Sequence, residues 1–147
     1  MSTRKRSVCS RCARLARIVH GTPACIDDAC LIQLLRSDLR PTILGQRTRS
    51  PLVLPVFFSI ERSDEEGRTL NLGEAVLRQN EVNRVISVLR RNGILVTALH
   101  NHWLFEQPRL MYVHWEAVSD PVRFLRASLE ALEAAGVETR PLVAEEL

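Results

Sequence analysis

Apolar residues recur along this chain at two different spacings, and each spacing predicts a type of secondary structure. In three segments they lie three or four positions apart, which is the spacing of an amphipathic helix face. An Asp120-Pro121 start signal precedes the last of these segments, and a glycine follows the last two. The predicted helices cover residues 12–19, 80–91 and 121–135.

Runs rich in β-branched and aromatic residues lie between these helices. The longer runs cover residues 29–35, 52–60, 70–77, 94–102 and 109–117, and the shorter ones 41–45 and 137–143. Pro55 cannot donate to a sheet, so its strand is predicted at an edge or with a bulge. From residue 70 the order is strand, helix, strand, strand, helix and a short strand, which is the split βαβ or ferredoxin-like order. The predicted fold class is therefore α+β, with helices on one face of a mainly antiparallel sheet.

Composition and charge narrow the class of protein. The chain has 147 residues, of which 46% are hydrophobic and 25% charged, as expected for one globular domain and not for a disordered chain or a coiled coil. Residues 1–8 are predicted to be a disordered basic tail and residues 9–147 a single domain. The net charge is +3, and much of it lies in that tail, so a nucleic-acid partner is not expected. The apolar run 52–58 is too short to span a bilayer, which predicts a cytoplasmic protein with reduced thiols.

Residues 99–115 contain most of the chemically versatile side chains. They hold three of the four histidines, both tryptophans and the only tyrosine. His100 and His102 are two positions apart in a predicted strand, so they project from one face. Two neutral imidazoles at this spacing can ligate one divalent ion such as Zn²⁺, Mn²⁺ or Fe²⁺.

A third ligand is needed for a well-formed metal site, and the hairpin offers two. Glu106 and His114 are brought near the histidines by closure of the hairpin. Glu74 is a further acidic candidate, because the ferredoxin-like order places its strand beside the strand that carries His114. Three protein ligands with an open position would form a site able to activate water or polarise a substrate oxygen.

The pairing register of the hairpin decides whether His114 belongs to the site. If His102 lies opposite Arg109, strand alternation sends His114 to the other face. If His102 lies opposite Leu110, His114 shares the face of His100 and His102. The sequence leaves both registers open.

Two other interpretations of the hairpin stand beside the metal site. Val96 and Ala98 fall on the face of the histidines by simple alternation, which would make the histidines packed core groups. Alternatively, the hairpin forms a pocket for a small ligand, or exposes Trp103 and Phe105 as part of a homodimer interface. The residues predicted to bind a small ligand are Asn101, Trp103, Arg109 and Tyr112.

The four cysteines are spaced C-x2-C-x12-C-x4-C and form a second candidate site. Cys9 and Cys12 have the spacing of a zinc knuckle, whereas the spacing of Cys25 and Cys30 is looser. Cys12 also lies on the apolar face of the first predicted helix, where a thiol packs as a small hydrophobe. Packing is the favoured interpretation, and structural zinc is the alternative.

Four runs resemble the LppY/LpqO family of bacterial domains of unknown function, over about residues 42–133. They are TILGQRTRSPL (42–52), LNLGE (70–74), EVNRVI (81–86) and NGILVTALHNHWLFEQPRLMYVHW (92–115). The family has no settled activity, so the resemblance implies a functional hairpin and no reaction. The lipoprotein signal of exported members is not found, so the resemblance does not imply export. The positions that match its most specific segment are His100, Asn101, His102, Glu106, Pro108, Arg109 and His114.

The entry to the second predicted helix departs from the family pattern. Many members have a threonine cap and an acidic residue there, whereas this chain has Arg78, Gln79 and Asn80. A capping box is therefore less well supported, and the start of this helix is less sharply predicted.

Overall fold

The computed structural model describes residues 8–145, which form three helices and ten strands. A 3₁₀ turn at Val8–Arg11 leads into the first helix. The helices are α1 Cys12–Val19, α2 Gln79–Arg91 and α3 Pro121–Ala134. The strands are β1 Thr22–Ile26, β2 Ala29–Arg36, β3 Thr42–Ile43, β4 Gln46–Arg47, β5 Pro55–Ile60, β6 Thr69–Arg78, β7 Leu95–His100, β8 Glu106–Gln107, β9 Leu110–Ser119 and β10 Thr139–Pro141.

Seven of these strands form one antiparallel sheet. Six follow the order β1-β2-β5-β6-β9-β7, and β10 pairs with the part of β2 that β1 leaves free. A small second sheet has the order β4-β3-β8. The predicted α+β class, with a mainly antiparallel sheet, is confirmed. Strands β6, β9 and β7 follow the ferredoxin-like arrangement, but β5 occupies the place beside β6 where that arrangement would put the last strand.

Several local predictions need correction. The sequence predicts no strand at β1, because its Thr22-Pro23 start is typical of a turn. Pro55 begins a strand that lies between β2 and β6, so it is at neither an edge nor a bulge, since a first residue need not donate to the ladder. Val8 was assigned to the tail but is fully buried. Residues 1–7 of that tail lie outside the described part of the chain.

The core between the helices and the sheet is organised around Trp115. This residue is 1% exposed, and its indole N–H donates to Oγ of Ser128 on α3 at 3.0 Å. Its ring makes an edge contact with Phe58, with centroids 6.2 Å apart. Gly73 lies directly opposite on β6, and a Cβ atom there would overlap the indole. The absence of a side chain at Gly73 therefore makes the space that Trp115 fills.

A buried ion network ties the end of β2 to the start of α2. Arg36 is 1% exposed and donates to Glu81 at 3.0 Å and to Asp38 at 2.9 Å. Partial burial acts to raise the pKa of Asp38, but the guanidinium outweighs it and holds that pKa below its usual value. Glu81 also accepts from the backbone N–H of Arg78 at 2.6 Å. This bond defines the start of α2 without the threonine cap of the resembling family.

The sheet face opposite the helices, here called the open face, has its own smaller core. A segment running from β2 to β5 and the loop after β7 cover one end of it. Tyr112 lies beneath this cover and donates to the carbonyl oxygen of Val53 at 2.7 Å. The buried members of this second cluster are Leu35, Leu39, Val53, Leu54, Val76, Leu110 and Tyr112.

The cysteines do not match the expectation of reduced thiols. Cys9 is bonded to Cys25, and Cys12 to Cys30, so none of the four is free. Both bonds attach the N-terminal segment to the β1–β2 hairpin. The predicted zinc set is not formed in this disulfide state. None of the helices among residues 8–145 is long and apolar enough to cross a membrane.

We expect Gly73→Ala to lower the free energy of unfolding by about 1–3 kcal/mol, because the added methyl group overpacks a filled core. Denaturant unfolding monitored by fluorescence measures this change. As a control, the same substitution in a Trp115→Leu background should cost clearly less. Equal costs in both backgrounds would contradict the proposed contact between Gly73 and the indole.

Candidate functional site

The open face brings Glu74, His100 and His114 together. Glu74 on β6 lies directly opposite His114 on β9, as the predicted strand order implies. His100 on β7 lies opposite Tyr112. This pairing corresponds to the second of the two registers considered above, in which His114 shares the face of His100. Of the predicted ligands, these three therefore come into contact.

A one-residue bulge in β7 places His100 on this face. Val96 pairs with Trp115, and Ala98 pairs with the very next position, His114, so Thr97 is the extra residue. Without the bulge, alternation from Val96 would send His100 towards the helices. The expectation that Val96 and Ala98 share the face of the histidines is wrong for Val96, because it packs against the helix-side core instead.

His100 and His114, here called the histidine pair, point their Nε2 atoms at each other. These atoms are 3.1 Å apart, and the ring centroids are 5.1 Å apart. Nδ1 of His100 lies 3.0 Å from the carbonyl oxygen of Asn101. Nδ1 of His114 lies 3.4 Å from a carboxylate oxygen of Glu74. Nδ1 of His100 thus has a hydrogen-bond partner, and Nδ1 of His114 has a carboxylate within ion-pair distance.

The tautomers of the two imidazoles decide whether the contact within the histidine pair is attractive. A carbonyl oxygen only accepts, so the contact of His100 requires a hydrogen on its Nδ1, and the nearby carboxylate of Glu74 favours the same tautomer in His114. Two neutral imidazoles carry two N–H hydrogens, and both are then used. The two Nε2 atoms therefore face each other with lone pairs. A cation between them, either a proton or a metal ion, makes this contact attractive.

The surroundings of His114 disfavour its protonation to an imidazolium ion. Partial burial lowers the pKa of His114, and the neighbouring rings of His100 and His102 lower it too, although Glu74 acts in the opposite direction. The imidazolium form of His114 is therefore less favoured at neutral pH than that of an isolated histidine. Its Nε2 lone pair stays available.

His102 and Tyr112 complete the group of rings. His102 follows the end of β7, and its ring centroid lies 5.5 Å from that of His100 and 5.0 Å from that of Tyr112. Burial, with smaller contributions from nearby carboxylates, raises the pKa of Tyr112 to about 12. Since its hydroxyl donates to Val53 and the residue is 3% exposed, Tyr112 supports the rings and does not offer a group to a ligand.

The side chains of the other predicted site residues lie apart from the histidine pair. Glu106 is on β8, where its 3% exposed side chain pairs with Arg109 at 2.9 Å. Trp103 packs onto the second cluster, and Asn101 is exposed. Phe105 is 77% exposed, as expected for a loop tip. Within residues 8–145, no group of three or more His, Cys, Asp or Glu side chains is arranged to hold a metal ion.

A groove that the sequence analysis did not predict begins at His114 and Glu74. Its volume is about 240 Å³, and it crosses the open face of the central strands. The sequence does contain an indication of this groove, because apolar residues of β5 and β6 occur on the open face as well as on the helix side. The open-face residues that line the groove are Leu31, Phe57, Ser59, Leu72, Glu74 and His114.

Fold and site together define a small α+β domain with helices on one sheet face and a histidine pair beside an apolar groove on the other. A family model described as Domain of Unknown Function (DUF1259) matches residues 13–134, and the chain belongs to that family. The match covers the histidine pair, Glu74 and the groove. No curated protein and no solved structure matches the chain.

We expect the metal-free protein at mildly alkaline pH to carry the His114 hydrogen on Nδ1, because the carboxylate of Glu74 is the strongest acceptor near the pair. Nitrogen-15 NMR of the imidazoles measures this tautomer directly. Glu74→Ala should shift His114 towards the Nε2–H tautomer. Glu116→Ala removes the next carboxylate on the same face of β9 and should leave the tautomer unchanged. An unchanged tautomer in Glu74→Ala would contradict this assignment.

Proposed function

We propose that this protein binds one divalent metal ion through Nε2 of His100 and Nε2 of His114. The observation that carries the proposal is the facing of these two atoms at 3.1 Å, while Nδ1 of His100 contacts a carbonyl oxygen and Nδ1 of His114 lies near the carboxylate of Glu74. Two nitrogens bound to one tetrahedral zinc ion at 2.0–2.1 Å lie about 3.4 Å apart. The pair therefore needs only a small adjustment to become bidentate.

Glu74 and His102 have supporting roles in this proposal. A carboxylate behind a ligating imidazole fixes its tautomer and makes it a better donor, and Glu74 stands in that position behind His114. His102 is the nearest candidate for a third ligand, because its ring lies beside that of His100. The remaining coordination positions would be open to water or to an oxygen of a small ligand.

The metal would be Zn²⁺, Mn²⁺ or Fe²⁺, and it would polarise an oxygen atom of a ligand that lies in the groove. We further propose that the chain is an LppY/LpqO-type member of its family, on the strength of the V-T-A-L-H-N-H segment. The cytoplasmic location suggested by the sequence is kept as a proposal.

Calorimetric titration of tag-free protein, with its cysteines oxidised, tests the metal site. We expect one ion to bind per chain, and His114→Ala to abolish the binding because it removes one of two ligands. Glu74→Gln should weaken it by about 10–100-fold, as for other groups that orient a ligating histidine. His20→Ala is the matched control, since this exposed histidine lies at the end of α1. Equal affinity for metal in wild type and His114→Ala would refute the proposal.

A second candidate function is the binding of a small ligand in the groove without metal. The apolar side chains of Leu31, Phe57 and Leu72 favour it, and the volume suits a molecule smaller than most drug-sized ligands. Here the histidine pair would act as a hydrogen-bonding end to the groove. The ligand class that fits is a small neutral molecule with an apolar body and a hydroxyl group, because the facing Nε2 atoms and the Glu74 carboxylate accept hydrogen bonds.

Leu72→Arg should abolish thermal stabilisation by small aliphatic or aromatic alcohols, because the long side chain fills the groove. Leu70→Arg is a closely matched control: it lies on the same strand and face, is 38% exposed against 37% for Leu72, and does not line the groove. Stabilisation that persists in the presence of a chelator favours this second function over the metal site. Equal stabilisation of both variants would exclude the groove as the binding site.

A further inference from the structure

The four cysteines form one cluster at the edge of the domain, far along the sheet from the histidine pair. Cys25 and Cys30 occupy directly opposite positions in the β1–β2 hairpin. Each is joined to one member of the N-terminal C-x2-C pair, Cys25 to Cys9 and Cys30 to Cys12. The cross-strand pairing and the two bonds together bring all four sulfur atoms to one place.

We propose that, when the cysteines are reduced, this cluster binds one zinc ion through four thiolates. The Cα atoms of the bonded pairs are 5.7 and 5.4 Å apart. Sulfur atoms around a tetrahedral zinc at about 2.3 Å are separated by about 3.8 Å. That separation is within reach of cysteine side chains whose Cα atoms keep these positions, so zinc can replace both bonds without moving the backbone far.

The backbone presents the sulfur atoms as two pairs. Cys9 lies in the 3₁₀ turn and Cys12 is the first residue of α1, which gives the short spacing of a zinc knuckle. Cys25 and Cys30 flank a tight turn in which Asp27 and Asp28 both have positive φ, at 49° and 65°. Because this turn places Cys25 and Cys30 opposite each other across the hairpin, their C-x4-C spacing is also suitable for binding one zinc ion.

The disulfide form and the fully reduced thiol form differ by four electrons and four protons. Two molecules of a dithiol reductant each transfer two electrons and two protons to one disulfide and become cyclic disulfides themselves. The four resulting thiols release four protons when zinc binds their thiolates. In a reducing compartment the zinc state is favoured, and in an oxidising one the disulfide state.

Both states would attach the N-terminal segment to the sheet. The attachment keeps Val8 and Leu15 in the helix-side core, where each is 3% exposed or less. The cluster is independent of the proposed function at the histidine pair, with which it shares no residue. Cys9 and Cys12 precede the part of the chain that the family model matches.

The test uses the full chain carrying His100→Ala and His114→Ala, so that only the cysteines can account for tightly bound metal. The protein is reduced without oxygen by a phosphine, which becomes a phosphine oxide as water supplies its oxygen, and is then given zinc and desalted. We expect about one zinc per chain after reduction and none in the oxidised protein. Cobalt in place of zinc should give the absorption of a tetrahedral thiolate site.

Cys25→Ser removes one exposed ligand and should abolish both the retained zinc and the thiolate-to-cobalt absorption. Ala24→Ser adds the same hydroxyl one position earlier on β1 and should leave both unchanged. Reduced protein that retains no zinc would overturn the proposal. Cobalt binding without thiolate absorption, or equal zinc in Cys25→Ser and Ala24→Ser, would overturn it as well.

Discussion

The packing of Trp115 into the space left by Gly73 is the contact on which the candidate site depends. It joins β6 and β9 in a single register, because a shift by one residue would place a side chain where the indole must lie. The next pair along the same two strands is Glu74 and His114, which project from the opposite face. The helix-side core thus fixes the position of a polar pair that it does not touch.

The bulge at Thr97 determines the position of His100 in a similar way. Val96, just before the bulge, packs against the helix-side core, and the alternation after the bulge is shifted by one position, so that Ala98 and His100 lie on the open face. Two independent features therefore converge on the histidine pair, one from each side of β9. The segment between β2 and β5, the loop after β7 and Tyr112 pack together on the open face, at the end beyond the histidine pair. A site built on three paired strands is more rigid than one carried by a loop.

The sequence predicts the helices well because each one has an apolar stripe of its own, which needs no knowledge of the partner. It also predicts the neighbourhood of Glu74 and His114, because the strand order follows from the alternation of strands and helices. The bulge at Thr97 has no local signal, since neither glycine nor proline marks it. The cysteine pairs join residues 16 and 18 positions apart, which no local pattern indicates. Strand β1 pairs with the next strand, but its short segment with Pro23 gives no periodicity from which to infer it.

The electrostatic balance of the site limits what could accompany a metal ion. Glu74 contributes one negative charge, the two imidazoles are neutral as ligands, and a divalent ion adds two positive charges. The assembled site would carry a net charge of about +1, in a region that is only partly open to solvent. A single negative charge on the ligand offsets that balance, while the apolar lining of the groove favours a hydrophobic body. A small carboxylate therefore offsets the charge of the site when metal is bound, whereas the metal-free site, in which Glu74 is charged and the facing Nε2 atoms only accept, suits a neutral ligand that donates a hydrogen bond.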